Sequence, residues 1–378
     1  MEIFKKAILP KGFLAAGVAS GIKRSGKPDL ALFFSEVPAQ AACLFTSNKI
    51  QAAPLIFCKA SLKKSPVHQA IIVNSGNANC FTGKKGLADA EETAVLLAAQ
   101  TGISKAGVLV ASTGIIGRPL PMEKIRAGIP LLVSGLSTEG ITRAKTAILT
   151  TDKVSKEITV RYKQAGKTIT VCGVAKGSGM IAPDLATMLS FVFTDAFIAG
   201  YILRKAVRAA AESSFNCISI DGCMSTNDTL AVMANGEALA SRIVSGRDYD
   251  AFLWALSYVC RHLAISLVKD GEGASKFIRI KVGGGKNYAQ AKKAALAVAN
   301  SNLFKTAVYG ENPNFGRIAA AVGGCGIELN PEKLKVKLGP LHQKEVLVDV
   351  ELGAGKATAV VYTSDLTPEY IKINAEYN

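Results

Sequence analysis

The spacing of hydrophobic residues changes period several times along the chain, which predicts a fold that mixes strands and helices. Apolar runs at residues 70–73 and 107–111 are typical of buried strands. Between them, residues 86–101 carry apolar side chains at helical spacing, with acidic residues in the early turns, and this pattern predicts a helix.

The second half of the chain continues the same alternation. Apolar and polar residues alternate over 158–162 and 167–171 on either side of Gln164-Ala165-Gly166, a combination that predicts a β-hairpin. The other predicted elements are a buried strand at 189–194, helices at 198–214, 249–269 and 288–300, and strands at 345–351 and 357–362. Together they indicate stacked sheets flanked by helices, the organisation of an α/β protein.

The composition fits a large α/β enzyme. The 378 residues can bury a sizeable core as one big domain or two, and because 49% are hydrophobic but only 7% aromatic, that core must consist mostly of Ala, Val, Ile and Leu. The longest uninterrupted apolar runs, such as 94–99, are far shorter than the roughly 18 residues that a membrane helix requires. Pro10 and Lys11 interrupt the stretch that a signal peptide needs. We therefore expect a soluble, cytoplasmic protein that does not bind a membrane.

The charge balance is strongly basic. The chain has 45 Lys and Arg against 29 Asp and Glu, a formal net charge of +16. A basic surface can attract acidic metabolites, or bind nucleic acid without sequence preference. The lysines are dispersed as pairs, such as Lys63-Lys64 and Lys292-Lys293, without interleaved aromatic residues. This favours a solvated basic surface, and a nucleic-acid-binding protein is kept as the non-enzymatic alternative.

The spacings of cysteine, histidine and glycine do not match several common sites. The eight cysteines lack Cys-x-x-Cys pairs and zinc spacings, so free buried thiols are expected. The three histidines, His68, His262 and His342, form no recognisable ligand or triad spacing, and neither a metal site nor a Ser-His-Asp hydrolase is expected. Residues 353–358 lack two residues of a Walker motif, and residues 283–286 are expected to form a turn instead of a nucleotide cradle.

The segment from Lys176 to Ser190 carries the strongest candidate chemistry, because a glycine-rich loop broken by Pro183 leads into a threonine that opens an apolar strand. Composition alone also fits an ordinary turn before a buried strand. If Thr187 attacks the carbonyl of Ala186 in an N-to-O acyl shift and water hydrolyses the ester, Thr187 becomes N-terminal. Its α-amino group, with a reference pKa of about 7.7 to 8.0, would then act as the base for its own hydroxyl.

Further motifs run in order along nearly the whole chain, at residues 10–18, 73–79, 112–117, 225–229, 312–318 and 373–377. Together with Gly-Met-Ile-x-Pro-x-x-Ala-Thr-Met-Leu, which residues 179–189 match at every fixed position, they resemble the ornithine acetyltransferase (glutamate N-acetyltransferase) family of arginine biosynthesis. Several motifs in one register are far more specific than any one of them.

The resemblance implies an αββα sandwich with a smaller C-terminal lobe. It also implies autocatalytic cleavage into an N-terminal chain, 1–186, and a C-terminal chain, 187–378, which contribute to one catalytic unit and assemble as a heterotetramer of two chains of each kind. The implied activity is ping-pong acetyl transfer from N2-acetyl-L-ornithine to L-glutamate through acetyl-Thr187, without a metal or organic cofactor. Some family members also accept acetyl-CoA as the acetyl donor, which makes them bifunctional.

The resemblance also assigns roles to individual residues. Besides the nucleophile Thr187, it implies an oxyanion hole formed by the Thr113 hydroxyl and the Gly114 N–H. A strand that ends at Ala111 and is followed by Ser-Thr-Gly would place both donors on one tight turn. The substrate-binding residues that it implies are Thr150, Lys176, Thr187, Glu272 and Asn374.

Two of these residues carry charge, and two other positions depart from the family pattern. Lys176 suits a carboxylate and Glu272 an ammonium group, although both residue types are usually surface charges. Cys223 stands where the family commonly has the second Asp of Asp-Gly-Asp, and the chain stops at Asn378 without the Ser or Thr that helps to bind substrate. The sequence therefore defines the acyl chemistry better than the substrate affinity.

An N-terminal-nucleophile amidase or aminopeptidase is the enzymatic alternative, because related αββα proteins hydrolyse amides by a similar route. The two activities differ in whether glutamate or water resolves the acyl-enzyme.

Overall fold

The computed structural model describes residues 1–182 and 188–376, so the predicted cleavage site, Ala186 and Thr187, lies outside the described residues. The chain divides into two compact units. The first takes the described residues 1–177, 188–213 and 225–263, and the second, smaller unit takes 178–182, 214–224 and 264–376. Both units thus contain residues from either side of the predicted cleavage position.

The first unit is built on a sheet whose described strands follow the order β1-β6-β7-β8-β9-β3-β4-β5, with β2 also paired to β3. These strands are β1 (Glu2–Phe4), β2 (Phe13–Val18), β3 (Leu30–Phe45), β4 (Val67–Asn77), β5 (Val108–Ile115), β6 (Lys156–Gln164), β7 (Lys167–Lys176), β8 (Leu189–Thr194) and β9 (Thr229–Ala234).

The 16-residue strand β3 divides this sheet into two halves. Its first part pairs with β2 and β4, its later part pairs with β9, and the register shifts between Phe34 and Ala39. The two halves pack face to face around one apolar core, in which the Phe33 ring lies 5.2 Å from Phe191 and 5.0 Å from Phe193. The stacked sheets that the sequence predicts are therefore two parts of one continuous sheet.

The helices of the first unit are α1 (Ala53–Lys64), α2 (Gly83–Thr101), α3 (Met122–Ser134), α4 (Ile141–Ala147), α5 (Gly200–Glu212) and α6 (Gly246–Lys269), which continues into the second unit. Ile141 and Ala144 of α4 belong to the core between the two halves of the sheet. Leu97 of α2 and Ile129 of α3 pack against the half that contains β4 and β5. On the other half, Gly173 leaves room for α6, because a Cβ there would lie 2.5 Å from Val259 Cγ1. The predicted αββα sandwich is confirmed.

The second unit has its own core around a four-stranded sheet of order β11-β12-β10-β13, counted over the described residues. Its strands are β10 (Phe277–Gly285), β11 (Lys335–Leu338), β12 (Glu345–Glu351) and β13 (Ala357–Ser364), and its helices are α7 (Tyr288–Ala299), α8 (Asn302–Tyr309), α9 (Phe315–Gly323) and α10 (Pro368–Glu376). Val298 of α7 and Phe304 of α8 pack on Ile280 and Val348 of the sheet. This unit is the smaller C-terminal lobe that the resemblance implies.

Each strand and helix predicted from periodicity corresponds to an element of the structure. The hairpin turn of β6 and β7 has positive φ at both Ala165 and Gly166, 46° and 79°, as a tight two-residue turn requires. The prediction of a turn at residues 283–286 is wrong for the first three of these residues, which belong to a strand. Gly283–Gly285 end β10 because the register shift after Val282 lets the strand continue.

All eight cysteines are free, as predicted, but only five of them are buried, and Cys223 is exposed. Helix α6 differs from the sequence expectation in another way. By length and composition alone this 24-residue helix could cross a membrane, because an 18-residue window within it has a mean hydropathy of 1.5. The expectation missed it because Arg261 and His262 interrupt the apolar run. Phe252 and Leu256 of this helix are buried, so the protein core accounts for its apolar face.

Candidate active site

The predicted cleavage position lies in the connection between two paired strands. β7 and β8 are antiparallel neighbours, and their register ends with Lys176 opposite Leu189. The Met188 N–H, directly after this connection, donates to Asp228 Oδ1 at 3.0 Å, and the Met188 carbonyl accepts from the Thr229 N–H at 3.0 Å. The backbone that follows the predicted scissile bond is thus fixed to both neighbouring strands, so cleavage of the connection would leave β8 in the sheet.

Lys176, at the end of β7, contacts Thr113. Its Nζ donates to Thr113 Oγ1 at 3.1 Å, and the two residues are only 3% and 6% exposed. Because the ammonium group occupies an acceptor position of this hydroxyl, the hydroxyl hydrogen can be donated to another acceptor. The adjacent positive charge strengthens that donation. Thr113 therefore has the property that an oxyanion-hole donor requires.

The structure corrects the prediction that β5 ends at Ala111 and that Thr113 and Gly114 lie on a tight turn. β5 continues to Ile115, in parallel register with β4, and places Gly114 opposite Gly76. The pairing continues because Gly114 has no side chain: at its φ of 134°, a Cβ would lie 2.3 Å from the carbonyl carbon of Gly76. The two predicted donors are consecutive residues of a strand end.

Asp152 connects Thr150 and Lys176 in the first unit. Its Oδ2 accepts from the Thr150 N–H at 3.0 Å, and its Oδ1 accepts from the Gly177 N–H at 2.6 Å and from Lys156 Nζ. The side chains of Asp152 and Lys156 are fully buried. Burial alone would raise the pKa of Asp152, but the positive charges of Lys176 and Lys156 hold it down, at about 2. Asp152 is therefore a carboxylate at neutral pH.

Asp152 and Lys156 were not among the site residues predicted from the sequence. The available signal was weak: Asp152 follows Thr150 and Thr151 and precedes Lys156 by four residues, a spacing that is also common on exposed surfaces. Burial of this pair became visible only in the folded structure.

Three of the sequence motifs meet at one end of the first unit's sheet. Asn227 Nδ2 donates to the carbonyl of Ala78 at 2.7 Å and to the carbonyl of Ser112 at 2.8 Å. The motifs at 73–79, 112–117 and 225–229 are thereby connected directly next to Thr113. Their residues support the backbone that carries the predicted oxyanion hole.

Glu272 and Asn374, both predicted to bind substrate, are neighbours within the second unit. Asn374 Nδ2 donates to Glu272 Oε2 at 2.9 Å and to the Tyr370 carbonyl at 3.0 Å. The Glu272 N–H donates to the Ser178 carbonyl at 2.7 Å. Gly179 allows the close approach of the carboxylate, because a Cβ at that position would lie 2.1 Å from Glu272 Oε2.

The structure thus connects Thr113, Gly114, Thr150 and Lys176 within the first unit and Glu272 with Asn374 within the second. Of the predicted site residues, Ala186 and Thr187 lie outside the described part of the chain. Within the described residues, no group of three or more His, Cys, Asp or Glu side chains is arranged to hold a metal ion.

Comparison with known proteins places this arrangement in a family. The sequence model of the ArgJ family matches residues 14–343 and 339–378. The chain is 45% identical over 403 residues to the arginine biosynthesis bifunctional protein ArgJ of Caldanaerobacter subterraneus subsp. tengcongensis, covering 100% of both chains. It is 45% identical over 390 residues to the ArgJ protein of Gloeobacter violaceus, covering 97% of this chain and 96% of the relative.

A solved structure of ornithine acetyltransferase complexed with ornithine, from Mycobacterium tuberculosis, is 38% identical to the chain. The match covers 50% of this chain and 99% of the solved chain, with a TM-score of 0.45.

Proposed function

The chain belongs to the ArgJ family, and on that premise we propose that the protein transfers an acetyl group from N2-acetyl-L-ornithine to L-glutamate, giving L-ornithine and N-acetyl-L-glutamate in arginine biosynthesis. The observation that carries this proposal is 45% identity over the full length of an ArgJ relative. The enzyme is a glutamate N-acetyltransferase of the ornithine acetyltransferase type.

The first step is self-cleavage. The Thr187 hydroxyl attacks the carbonyl carbon of Ala186, the peptide C–N bond breaks, and the α-amino group of Thr187 takes up a proton while an ester bond to Oγ1 remains. Water then hydrolyses the ester, which gives the chains 1–186 and 187–378. The pairing of β7 with β8 would hold the two chains together after cleavage.

The second step is acetyl transfer to the enzyme. The free α-amino group of Thr187 accepts the hydroxyl proton, and the oxygen attacks the acetyl carbonyl of acetylornithine. The Thr113 hydroxyl and the Gly114 N–H donate to the oxyanion of the tetrahedral intermediate, and ornithine leaves with the transferred proton. The amine of glutamate then attacks acetyl-Thr187 and restores the free hydroxyl.

Lys176 provides a positive charge beside the reacting groups, where it pairs with a substrate carboxylate and polarises the Thr113 hydroxyl. Glu272, held by Asn374, accepts an ammonium group of the substrate, and Thr150 contributes a further polar contact. This route uses only groups of the chain and needs no metal or organic cofactor.

Acetyl-CoA is a second acetyl donor in this proposal, in keeping with relatives that are named bifunctional. The mature enzyme is a cytoplasmic heterotetramer of two chains of each kind, whose partners are small molecules and not nucleic acid. Family membership over the full length favours the transferase over the amidase or aminopeptidase and over the nucleic-acid-binding protein.

The proposal is tested by the intact mass of the purified protein and by its products. We expect two fragments that separate before Thr187, a Thr187→Ser variant that still cleaves, and a Thr187→Ala variant that remains one inactive chain. Incubation with acetylornithine should give acetylglutamate only when glutamate is present. Release of free acetate at the same rate without glutamate would identify an amidase instead, and acetyl-CoA with glutamate alone tests the second donor.

A further inference from the structure

Two carboxylates on the connection between α5 and β9 hold the backbone on the two sides of the proposed cleavage site. We propose that Asp221 and Asp228 are positioning residues for self-cleavage, with Asp221 fixing the segment before the Ala186–Thr187 bond and Asp228 fixing the residue after it. The inference rests on the self-cleavage proposed above, in which neither residue reacts.

Asp221 binds two consecutive backbone amides of the upstream segment. Its Oδ2 accepts from the Met180 N–H at 2.6 Å, and its Oδ1 accepts from the Ile181 N–H at 2.9 Å. The Ile181 carbonyl is held from the same connection, because it accepts from the Ile220 N–H at 2.8 Å and from Ser219 Oγ at 3.1 Å. The N–H groups of Met180 and Ile181 and the carbonyl of Ile181 are therefore all held by this connection.

The segment that Asp221 holds is strained. Met180 has a φ of 56°, a left-handed conformation that non-glycine residues rarely adopt because it is sterically strained. Such a conformation persists only where the surroundings enforce it. The hydrogen bonds that the Met180 and Ile181 N–H groups donate to the Asp221 carboxylate supply that constraint.

Asp221 is itself held by other residues of the second unit, and its carboxylate accepts four hydrogen bonds. Tyr370 of α10 donates its hydroxyl to Oδ2 at 3.1 Å, and the Cys223 N–H donates to Oδ1 at 3.0 Å. Lys305 Nζ donates to the carbonyl of Ile220, the residue before it. Each carboxylate oxygen thus carries two hydrogen bonds, one to the upstream segment and one to its own support.

Asp228 acts on the downstream side within the first unit. It is 0% exposed, and its Oδ1 accepts from the N–H of Met188, the residue directly after Thr187. The Thr229 N–H binds the Met188 carbonyl in return. Burial raises the pKa of Asp228 well above its usual range. An amide at this position keeps the acceptor oxygen that the Met188 N–H binds.

Restraint of both sides matters because the N-to-O acyl shift is intramolecular. The Thr187 oxygen must lie about 3–3.5 Å from the Ala186 carbonyl carbon and in line for attack, and a misplacement of about 1 Å can cost about 100-fold in rate. Loss of either anchor removes the restraint on the described backbone at one side of the reacting bond. The expected consequence is slow cleavage at an unchanged bond.

The test follows the uncut fraction of freshly translated protein over time by gel and intact mass. We expect Asp221→Asn and Asp228→Ala to slow cleavage at Ala186–Thr187 at least about tenfold, because each removes an acceptor of a Met180, Ile181 or Met188 amide. Asp228→Asn, which keeps the acceptor, should cleave at the rate of the unchanged protein. Tyr370→Phe deletes the hydroxyl that donates to Asp221 and leaves both Asp side chains in place, so it should also slow cleavage. This variant tests the role of Asp221 even if the Asp221→Asn protein does not fold.

Asp365→Asn is the matched control, because Asp365 also accepts two backbone N–H bonds in the second unit, from Ser275 and Lys276 at 2.9 Å each, without contacting the upstream segment. It should lose thermal stability but cleave normally. The inference is overturned if Asp221→Asn, Tyr370→Phe and Asp228→Ala all cleave at the normal rate, or if Asp365→Asn is slowed as much as they are. If the unchanged protein itself never cleaves, the proposed self-processing fails, and this inference fails with it.

Discussion

The Lys176 ammonium group and the Thr113 hydroxyl form a 3.1 Å hydrogen bond between strands that belong to opposite halves of the folded sheet. The two residues are 63 positions apart in sequence, and both are buried. Because Lys176 donates to Thr113, the threonine is oriented to donate its own hydrogen elsewhere. The fold therefore orients one donor of the proposed oxyanion hole before any substrate binds.

Replacement of Thr113 by valine should lower kcat of the cleaved enzyme about 10²- to 10³-fold, with a smaller effect on KM, because the lost hydrogen bond acts mainly in the transition state. Thr113→Ser keeps the hydroxyl and should retain most of the activity. The test measures the rate of acetylglutamate formation by each variant, after its cleavage has been verified by intact mass. A Thr113→Val enzyme with nearly normal kcat would remove Thr113 from the oxyanion hole.

The sequence predicts those parts of this site that local composition determines and misses those that depend on contacts between distant residues. β8 was predicted with the correct bounds, 189–194, because every one of its residues is apolar or small and it is buried on both faces. The end of β5 was predicted four residues too early, because Ser112-Thr113-Gly114 has the composition of a turn. Only the pairing of Gly114 with Gly76 explains why the strand continues, and that pairing joins residues distant in sequence.

The buried charges could not be predicted for a related reason. Lys156 and Asp152 are residue types that usually lie on the surface, and their burial depends on mutual neutralisation within the folded first unit. The family resemblance assigns roles to Lys176 and Thr113, whereas the bond between them comes from the structure.

Substitution of Gly114 by alanine should destabilise the protein by about 2–5 kcal/mol, since it adds backbone strain at a φ of 134° to a Cβ placed 2.3 Å from the carbonyl carbon of Gly76. Gly117→Ala is the matched control: Gly117 also has positive φ, 83°, but a Cβ there meets nothing within 4 Å. Its cost should be limited to about 1–2 kcal/mol of strain. Urea unfolding of the uncut Thr187→Ala chain measures both values, and equal losses would contradict the steric argument.

The Asp152 carboxylate should make the first unit sensitive to acid. Its pKa is lowered from 3.8 to about 2 in the folded protein, so between these values the unfolded chain binds more protons, and stability falls as pH falls. The contribution is fully present above about pH 4 and amounts to about 2 kcal/mol.

The stability difference between the uncut chain and its Asp152→Asn variant should therefore shrink steadily as the pH is lowered from 4 towards 2. Urea unfolding at pH 5, 4 and 3 provides the comparison. A difference that stays constant over this interval would mean that Asp152 is not held as a carboxylate by Lys156 and Lys176.

Lys305 should make stability depend on pH in the same direction, but in the alkaline range. It is 2% exposed, and burial lowers its pKa from 10.5 to about 8, against the attraction of Asp221 and Asp365. Between pH 8 and 10.5 the unfolded chain holds a proton that the folded chain has released, so stability rises with pH, by up to about 1.4 kcal/mol per pH unit. The neutral amine still donates to the Ile220 carbonyl, and the support of Asp221 is preserved.

We therefore expect the uncut chain to gain stability relative to its Lys305→Met variant between pH 8 and pH 10, with a Lys344→Met variant of an exposed lysine as the baseline. If the stability difference for Lys305→Met changes with pH no more than that for Lys344→Met, Lys305 does not titrate in this interval. Burial then does not lower the pKa of Lys305 as proposed.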